Sequence, residues 1–282
     1  MRTLEAVGLH KVAWRLRRLH CPVKREALVL EIGAGGNPYP RSNVLLDAYE
    51  ESVERREKTL VIDRPLVIGF AENLPFRDQS FDFIIASHVL EHSPDPDAFI
   101  KELVRVGKAG YIETPDAFFE RINPWTFHRL EVTEREGVLK IYKKQSWRLS
   151  AELVELYEAK MKPALMWLWN RYPDPFTMRF YWQGKIDYDV LNPDVDVNWP
   201  LPPEAYQSDP EKSDGQTRTV LLKTMRFLFS QNRRNRNINV TSLLRCPRCF
   251  HNTLLKRTDH LFCEGCNATF RTRNGIQMML PQ

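Results

Sequence analysis

Apolar and polar positions along this chain recur with two periods, and the switches between them mark its elements. Leu9, Val12, Ala13, Leu16 and Leu19 share one stripe, which predicts an early helix packed through that face with Arg15, Arg17 and Arg18 beside or opposite it. Ala27 to Ile32 is apolar except for Glu31, the pattern of a buried parallel strand, and Gly33-Ala34-Gly35-Gly36-Asn37-Pro38 stops it. Further strand-like runs follow at 44–46, 66–68, 81–86 and 109–112. Between the last two, residues 96–107 carry Phe99, Leu103 and Val106 at helical spacing with a glycine at the exit. This alternation predicts an α/β fold with an open, doubly wound sheet.

The pattern changes near residue 118. Runs at 127–132 and 138–142 flank a turn ending in Gly137 and predict a hairpin. Helices are expected at 151–170 and 217–230, a strand around 178–190, a long irregular loop over 192–214 and a polar linker over 231–239. The domains expected are residues 1–117, an α+β substrate-binding insertion or cap at 118–232, and a small module at 241–282.

Composition narrows the class. With 43% apolar and 27% charged residues the chain is globular, and no uncharged apolar run approaches the roughly 18 residues of a spanning helix. The Arg-rich start has neither an apolar core segment nor a cleavage site, so a cytoplasmic protein without a membrane span is expected. The net charge of +5 conceals an asymmetry: residues 216–275 carry +10 and the remainder about −5. A basic tail on an acidic body suits nucleic acid, an anionic surface, or the acidic face of the same protein.

Candidate chemistry lies in three places. Gly33, Gly35 and Gly36 follow a buried strand, where backbone can approach a ligand and a helix N-terminus can offer N–H groups. The turn lacks the Gly-x-Gly-x-x-Gly of a pyrophosphate site, and Glu31 before it suits a ligand bearing an ammonium group. Asp47, 12 residues beyond Gly35, ends the next strand where a carboxylate can accept both hydroxyls of a ribose. At the carboxyl end of the fourth strand, Ser87, His88 and His92 supply polar groups, with His128 further on; the three histidines are the candidate bases or substrate contacts, and Glu113 could join them. His88 and His92 share a face if their segment is helical. Finally, Cys246, Cys249, Cys263 and Cys266 fall within 21 residues as two Cys-x-x-Cys pairs, the spacing of a closed four-thiolate zinc site.

In combination, LVLEIGAGGNPYP, VLLD, GFAENLPFRDQSFDFIIASHVLEH and GYIETPD resemble the class I S-adenosylmethionine-dependent methyltransferases of the type 11 branch, over residues 28–116. That resemblance implies a Rossmann-like sheet, with Glu31 and the Gly33 to Gly36 backbone at the methionine part of the cofactor and Asp47 at the ribose. Ala71, Glu72, Asn73 and Leu74 would border the adenine, with Ser87 on the cofactor side. Asn37 and Phe70 depart from the family pattern, and Phe70 puts a side-chain contact to the adenine amino group in doubt. Residues 243–281, with Leu244 before the first knuckle and NGIQMMLP after the second, are similar to the zinc-ribbon activator subunit of several RNA and protein methyltransferases, here fused in cis.

No Asn/Asp-Pro-Pro-Tyr/Phe run is present and no cysteine is spare to attack a pyrimidine, which leaves a hydroxyl or amine acceptor. Aromatics such as Trp125, Tyr142, Trp147, Trp167, Trp169 and Tyr181 in the insertion suit stacking on a small molecule, a saccharide or surface-glycan intermediate in particular. The expected function is a small-molecule methyltransferase using S-adenosylmethionine and Zn2+. The alternatives are an RNA methyltransferase gripping phosphates with Arg233, Arg234 and Arg236, or a non-catalytic adaptor. The ribbon offers a surface for a protein partner, or its apolar residues Leu243, Leu244, Leu254, Leu255, Ile276 and Met278 dock on the larger domain.

Overall fold

In the computed structural model, residue 4, residues 6–52, residue 54 and residues 59–202 and 216–280 are described. The loop expected over 192–214 therefore lies outside the described residues from 203 onward. The chain forms two compact units, each built from three segments: residues 1–21, 87–96 and 111–207 in the first, and 22–86, 97–110 and 208–282 in the second.

The second unit is organised by strands β1 (Val29–Ile32), β2 (Val44–Asp47), β3 (Leu66–Ile68) and β4 (Phe83–Ser87), whose last residue opens the other unit. β1 pairs in parallel with β2 on one side and β4 on the other, and β2 with β3. All of β1, β2 and β3 is buried, as uninterrupted apolar runs require. Strand order across the sheet reverses at β1, so the carboxyl end of β1 is the crevice where open α/β sheets bind ligands. The helix Pro96–Val106 buries Phe99, Leu103 and Val106, and Gly107 ends it against β4. A Cβ at Gly107 would stand 2.6 Å from Ile84 Cδ1, so only glycine fits that close approach.

The first unit holds β5 (Ala109–Pro115) from Tyr111 onward, and the hairpin of β6 (Leu130–Arg135) and β7 (Val138–Lys143), extended by β9 (Tyr188–Val190) beyond β8 (Thr177–Gln183). Phe119, Ile122, Tyr157 and Phe176 form a local core. The expected 151–170 helix is interrupted: Ala151–Leu156 leads through a π-helical turn, Tyr157–Met161, into Lys162–Arg171. The expected early helix runs from His10 to Leu16, but its apolar stripe is not its anchor, since only Ala13 is buried and Val12 is 43% exposed. Arg17, one residue beyond, holds the segment through two hydrogen bonds to Glu113, at 2.8 and 2.9 Å, and stacks over Trp14.

The cysteine module belongs to the second unit. Its strands β10 (Leu254–Lys256), β11 (His260–Cys263), β12 (Thr269–Arg273) and β13 (Ile276–Met278) form an antiparallel meander. β13 then pairs in parallel with β3, Gln277 opposite Val67 and Met278 opposite Ile68. Ile276 is buried with Ala34, Leu45, Leu66 and Ile68, and Met278 packs against the same cluster. Phe76 bridges Leu244, and Arg245 N–H donates to Pro75 O at 3.0 Å. The module thus extends the parallel sheet. Ile276→Ala should cost about 2–4 kcal/mol of unfolding free energy, through the cavity left beneath β2 and β3; a denaturant titration with no loss would show that β13 is not part of the cooperative core.

The segment 231–239 is not a linker. Asn232–Arg236 is helical, Asn235 is buried, and Asn43 Nδ2 donates to Asn235 Oδ1 at 2.8 Å. Arg234 donates to the carbonyls of Arg25, Glu26 and Ala27. These polar side chains satisfy backbone ahead of β1 rather than water, which is why composition alone misreads them.

Candidate functional site

At the end of β1 the chain turns with Gly33 and Gly35 at φ of 66° and 53°, a region other residues enter at a cost. Glu31, buried on β1, accepts the Tyr39 N–H at 2.8 Å and the Ser42 hydroxyl, so its carboxylate fastens the far side of the turn. Asp47, buried at the end of β2, accepts the Gly35 N–H at 3.1 Å. The two carboxylates and the glycine backbone are therefore one assembly.

The expected adenine border is divided in its duties. Ala71–Asn73 is a single 3-10 turn. Leu74 is fully buried and its N–H is taken by Glu102 Oε2 at 2.7 Å. Asn73 Nδ2 donates to Pro247 O at 2.8 Å, so that side chain holds the cysteine module. Glu72 is half-buried. Phe70 meets the half-exposed Tyr49 edge-on, ring centroids 6.0 Å apart, which sets two aromatic rings beside the Asp47 strand end. No local pattern in the sequence pairs these rings, because 21 residues separate them.

The three histidines lie in the first unit. His88 has a φ of 57°, and only Leu90–His92 forms a 3-10 turn, so His88 and His92 do not share a helix face. His88 Nδ1 donates to Glu91 Oε1 at 3.2 Å and its Nε2 stands 3.4 Å from Glu113 Oε1. Desolvation opposes the imidazolium, but these two carboxylates outweigh it and raise the His88 pKa to about 9. Burial would raise Glu113, yet the hydrogen bonds from His88 and Arg17 hold it well below the usual carboxylate range. Tyr111 and Ser87 also donate to Glu113. Ser87 is thereby part of the carboxylate network.

His128 is buried, which lowers its pKa against the opposing pull of Glu120. Its Nδ1 donates to Glu120 Oε2 at 2.7 Å, and Glu120 Oε1 accepts Lys144 Nζ at 2.7 Å. Arg17, Glu120 and Lys144 were not legible as site residues, since their partners lie 8 to 96 residues away with no periodic pattern linking them and a lone charge in sequence reads as surface.

The four cysteine sulfurs converge. Cys246 and Cys266 Sγ are 3.7 Å apart, Cys249 and Cys263 Sγ 3.5 Å, and all four lie within 4.8 Å of one another. A tetrahedral zinc with Zn–S bonds of about 2.3 Å sets its sulfurs about 3.8 Å apart, so the donor set and its spacing fit that ion. Burial, together with the neighbouring thiols, pushes the Cys246 thiol up to about 12, a proton that a bound cation would displace.

Residues 30–112 match the profile of a family described as a methyltransferase domain. The ubiquinone/menaquinone biosynthesis C-methyltransferase UbiE of Xanthomonas oryzae pv. oryzae is 34% identical over 103 residues, which cover 33% of this chain and 41% of that protein. UbiE of Pasteurella multocida is 25% identical over 181 residues, 57% of this chain and 67% of that protein. The chain thus spans less than half the length of the first of these relatives. Among solved structures, a chain from the complex of the Haloferax volcanii Trm112 methyltransferase activator with a methyltransferase is similar at 18% identity and a TM-score of 0.39, covering 65% of this chain and 93% of that one. The fold is a mixed α/β, Rossmann-like methyltransferase sheet, with a cysteine cluster near its C-terminal end that fits a small zinc ribbon. Among the described residues no helix is long and apolar enough to cross a membrane.

Proposed function

We propose that the protein transfers a methyl group from S-adenosylmethionine to a hydroxyl or amine of a polar small molecule, with a saccharide as the favoured acceptor class. The observation that carries this reading is the assembly of Glu31, the Gly33 to Gly36 turn and Asp47 at the carboxyl end of β1, inside the stretch that matches a methyltransferase domain. When bound, the cofactor supplies an activated methyl group on a sulfonium. The chain's own residues then bind and orient: the glycine backbone and Glu31 hold the methionine part, Asp47 accepts from the ribose hydroxyls, and Ala71 and Glu72 border the base. Ser87 acts through Glu113 in this reading.

For the acceptor, His88, His92 and His128 are the proposed catalytic side chains. His88, positively charged at neutral pH, commits its two ring N–H groups to Glu91 and Glu113 and would order those carboxylates, whereas neutral His128 would serve a hydroxyl that must lose a proton. The first unit also contains a cleft of about 600 Å3 lined by Arg17, His20, Asp116, Asp174, Arg179 and Tyr181, and charged forks beside an aromatic ring suit a hydroxyl-rich ligand better than an apolar quinone. Zn2+ in the four-cysteine cluster would be structural, because four thiolates leave no open position.

The nucleic-acid alternative loses one of its three arginines. Arg234 spends its donors on backbone carbonyls, although Arg25, Arg233 and Arg236 line a groove with it.

His128→Ala should lower turnover by about 10²–10⁴-fold while changing cofactor affinity little, since general acid–base groups contribute on that scale. Turnover is read by S-adenosylhomocysteine release across a panel of glycosides and phenols, and affinity by calorimetry. Equal losses in both would remove His128 from the acceptor chemistry.

A further inference from the structure

Within the first unit, one buried carboxylate is not fully satisfied by its own packing. Glu91 is 1% exposed; His88 donates to its Oε1, and its Oε2 has no hydrogen-bond partner among the described residues. Such a buried carboxylate oxygen calls for a cation or a donor. His128 is fixed from behind, because its Nδ1–H donates to Glu120 Oε2 and Glu120 is in turn held by Lys144 Nζ and the Trp125 N–H. That bond sets the tautomer and leaves the Nε2 lone pair of His128 presented forward. Nε2 then faces Glu91 Oε1 across 4.0 Å, too far for a hydrogen bond. Two acceptors facing each other repel unless a cation or a hydrogen-bond donor lies between them. The His92 ring stands edge-on to that of His128, centroids 4.7 Å apart. One donor atom from each of Glu91, His92 and His128 lies within 4.8 Å of the others.

We infer that Glu91, His92 and His128 form a binding site for one divalent first-row transition-metal ion, with its remaining coordination positions open to oxygen ligands. Two imidazoles with one carboxylate suit Zn2+, Co2+, Fe2+ or Mn2+, whereas Ca2+ and Mg2+ favour all-oxygen sets. The carboxylate behind His128 is the partner that a metal-binding imidazole characteristically has, and it orients the ring and raises its basicity. With bonds of about 2.1 Å, donors on one ion stand roughly 3.0–3.5 Å apart, so the three side chains need to close by about an ångström. The site differs from the cysteine cluster in kind: three ligands leave room for a further ligand, and none of the three is sulfur. Where the methyl-transfer reading holds, an open position would take an acceptor hydroxyl and acidify it, its proton passing to solvent as the methyl group leaves the sulfonium for the oxygen, so His92 and His128 would act through the ion rather than as free bases. The acceptor role rests on that reading; ion binding does not.

The test uses the full chain with zinc already in the ribbon, without cofactor or acceptor. Titration with Co2+ should bring one further equivalent into the protein, seen as d–d absorption without the sulfur-to-cobalt charge-transfer band that exchange into the ribbon would produce. Glu91→Gln, which keeps shape and removes charge, should weaken that uptake by at least about tenfold. Glu120→Gln, a change to the positioning residue behind His128, should weaken it by about ten- to a hundredfold while leaving the ligands in place. Far-UV circular dichroism establishes that each variant is folded. Cofactor binding is measured on separate samples without Co2+, so failure of the metal site and failure of methyl transfer are distinguishable. No Co2+ uptake by the folded parent chain, or uptake of undiminished affinity in both folded variants, overturns the site.

Discussion

Cys249→Ser should bring zinc content close to zero and lower the unfolding free energy of the whole chain by at least about 3 kcal/mol, because metal binding provides most of the folding energy of a module this small. The effect should not stay within the ribbon. β13 is a strand of the parallel sheet, and Ile276 packs on Leu45, Leu66 and Ile68. Releasing it uncovers the edge of β3 and an apolar face that favours aggregation. Arg77, which donates to Leu244 O, and Asn73, which donates to Pro247 O, would lose their partners at the same time. Metal analysis paired with denaturant unfolding reads both effects. A zinc-free variant with parental stability would mean that the ribbon folds and docks without its metal.

Asp47→Ala should weaken S-adenosylmethionine binding by at least about tenfold. Each charge-assisted hydrogen bond is worth about 1.5–3 kcal/mol, and the substitution also releases the Gly35 N–H that Asp47 holds at 3.1 Å. Two contributions therefore act in the same direction: lost contacts to the ribose, and a glycine turn no longer preset for the ligand. Asp47→Asn separates them, since an amide oxygen can still accept from Gly35 N–H but carries no charge. Its affinity should fall between those of the parent and the alanine variant. An alanine variant with parental affinity would take Asp47 out of the cofactor site.

The parallel sheet was legible because its strands are buried on both faces and so appear as unbroken apolar runs, as at Val29–Ile32. The glycine turn and Asp47 could be read for a local reason: their spacing is fixed by one strand–turn–strand passage. The two cysteine pairs were equally plain. Strand neighbours are another matter, because nothing in Ile276-Gln277-Met278 says that it will lie beside Val67 and Ile68, some 210 residues earlier. The same limit hid the ion pair of Arg17 with Glu113 and the chain from Lys144 through Glu120 to His128. Polar composition misled at 231–239, where Asn and Arg are spent on buried backbone and on Asn43. A helical stripe misled at Val12 and Leu16, where the polar side chain of Arg17 provides the anchor.

The most direct test of the proposed methyltransferase site is calorimetric titration of the folded, zinc-loaded chain with S-adenosylmethionine, repeated in the presence of S-adenosylhomocysteine. The predicted result is saturable one-to-one binding that the product competes away and that Asp47→Ala weakens. Absence of binding by the folded, zinc-loaded chain, or binding that the product does not compete, would contradict it.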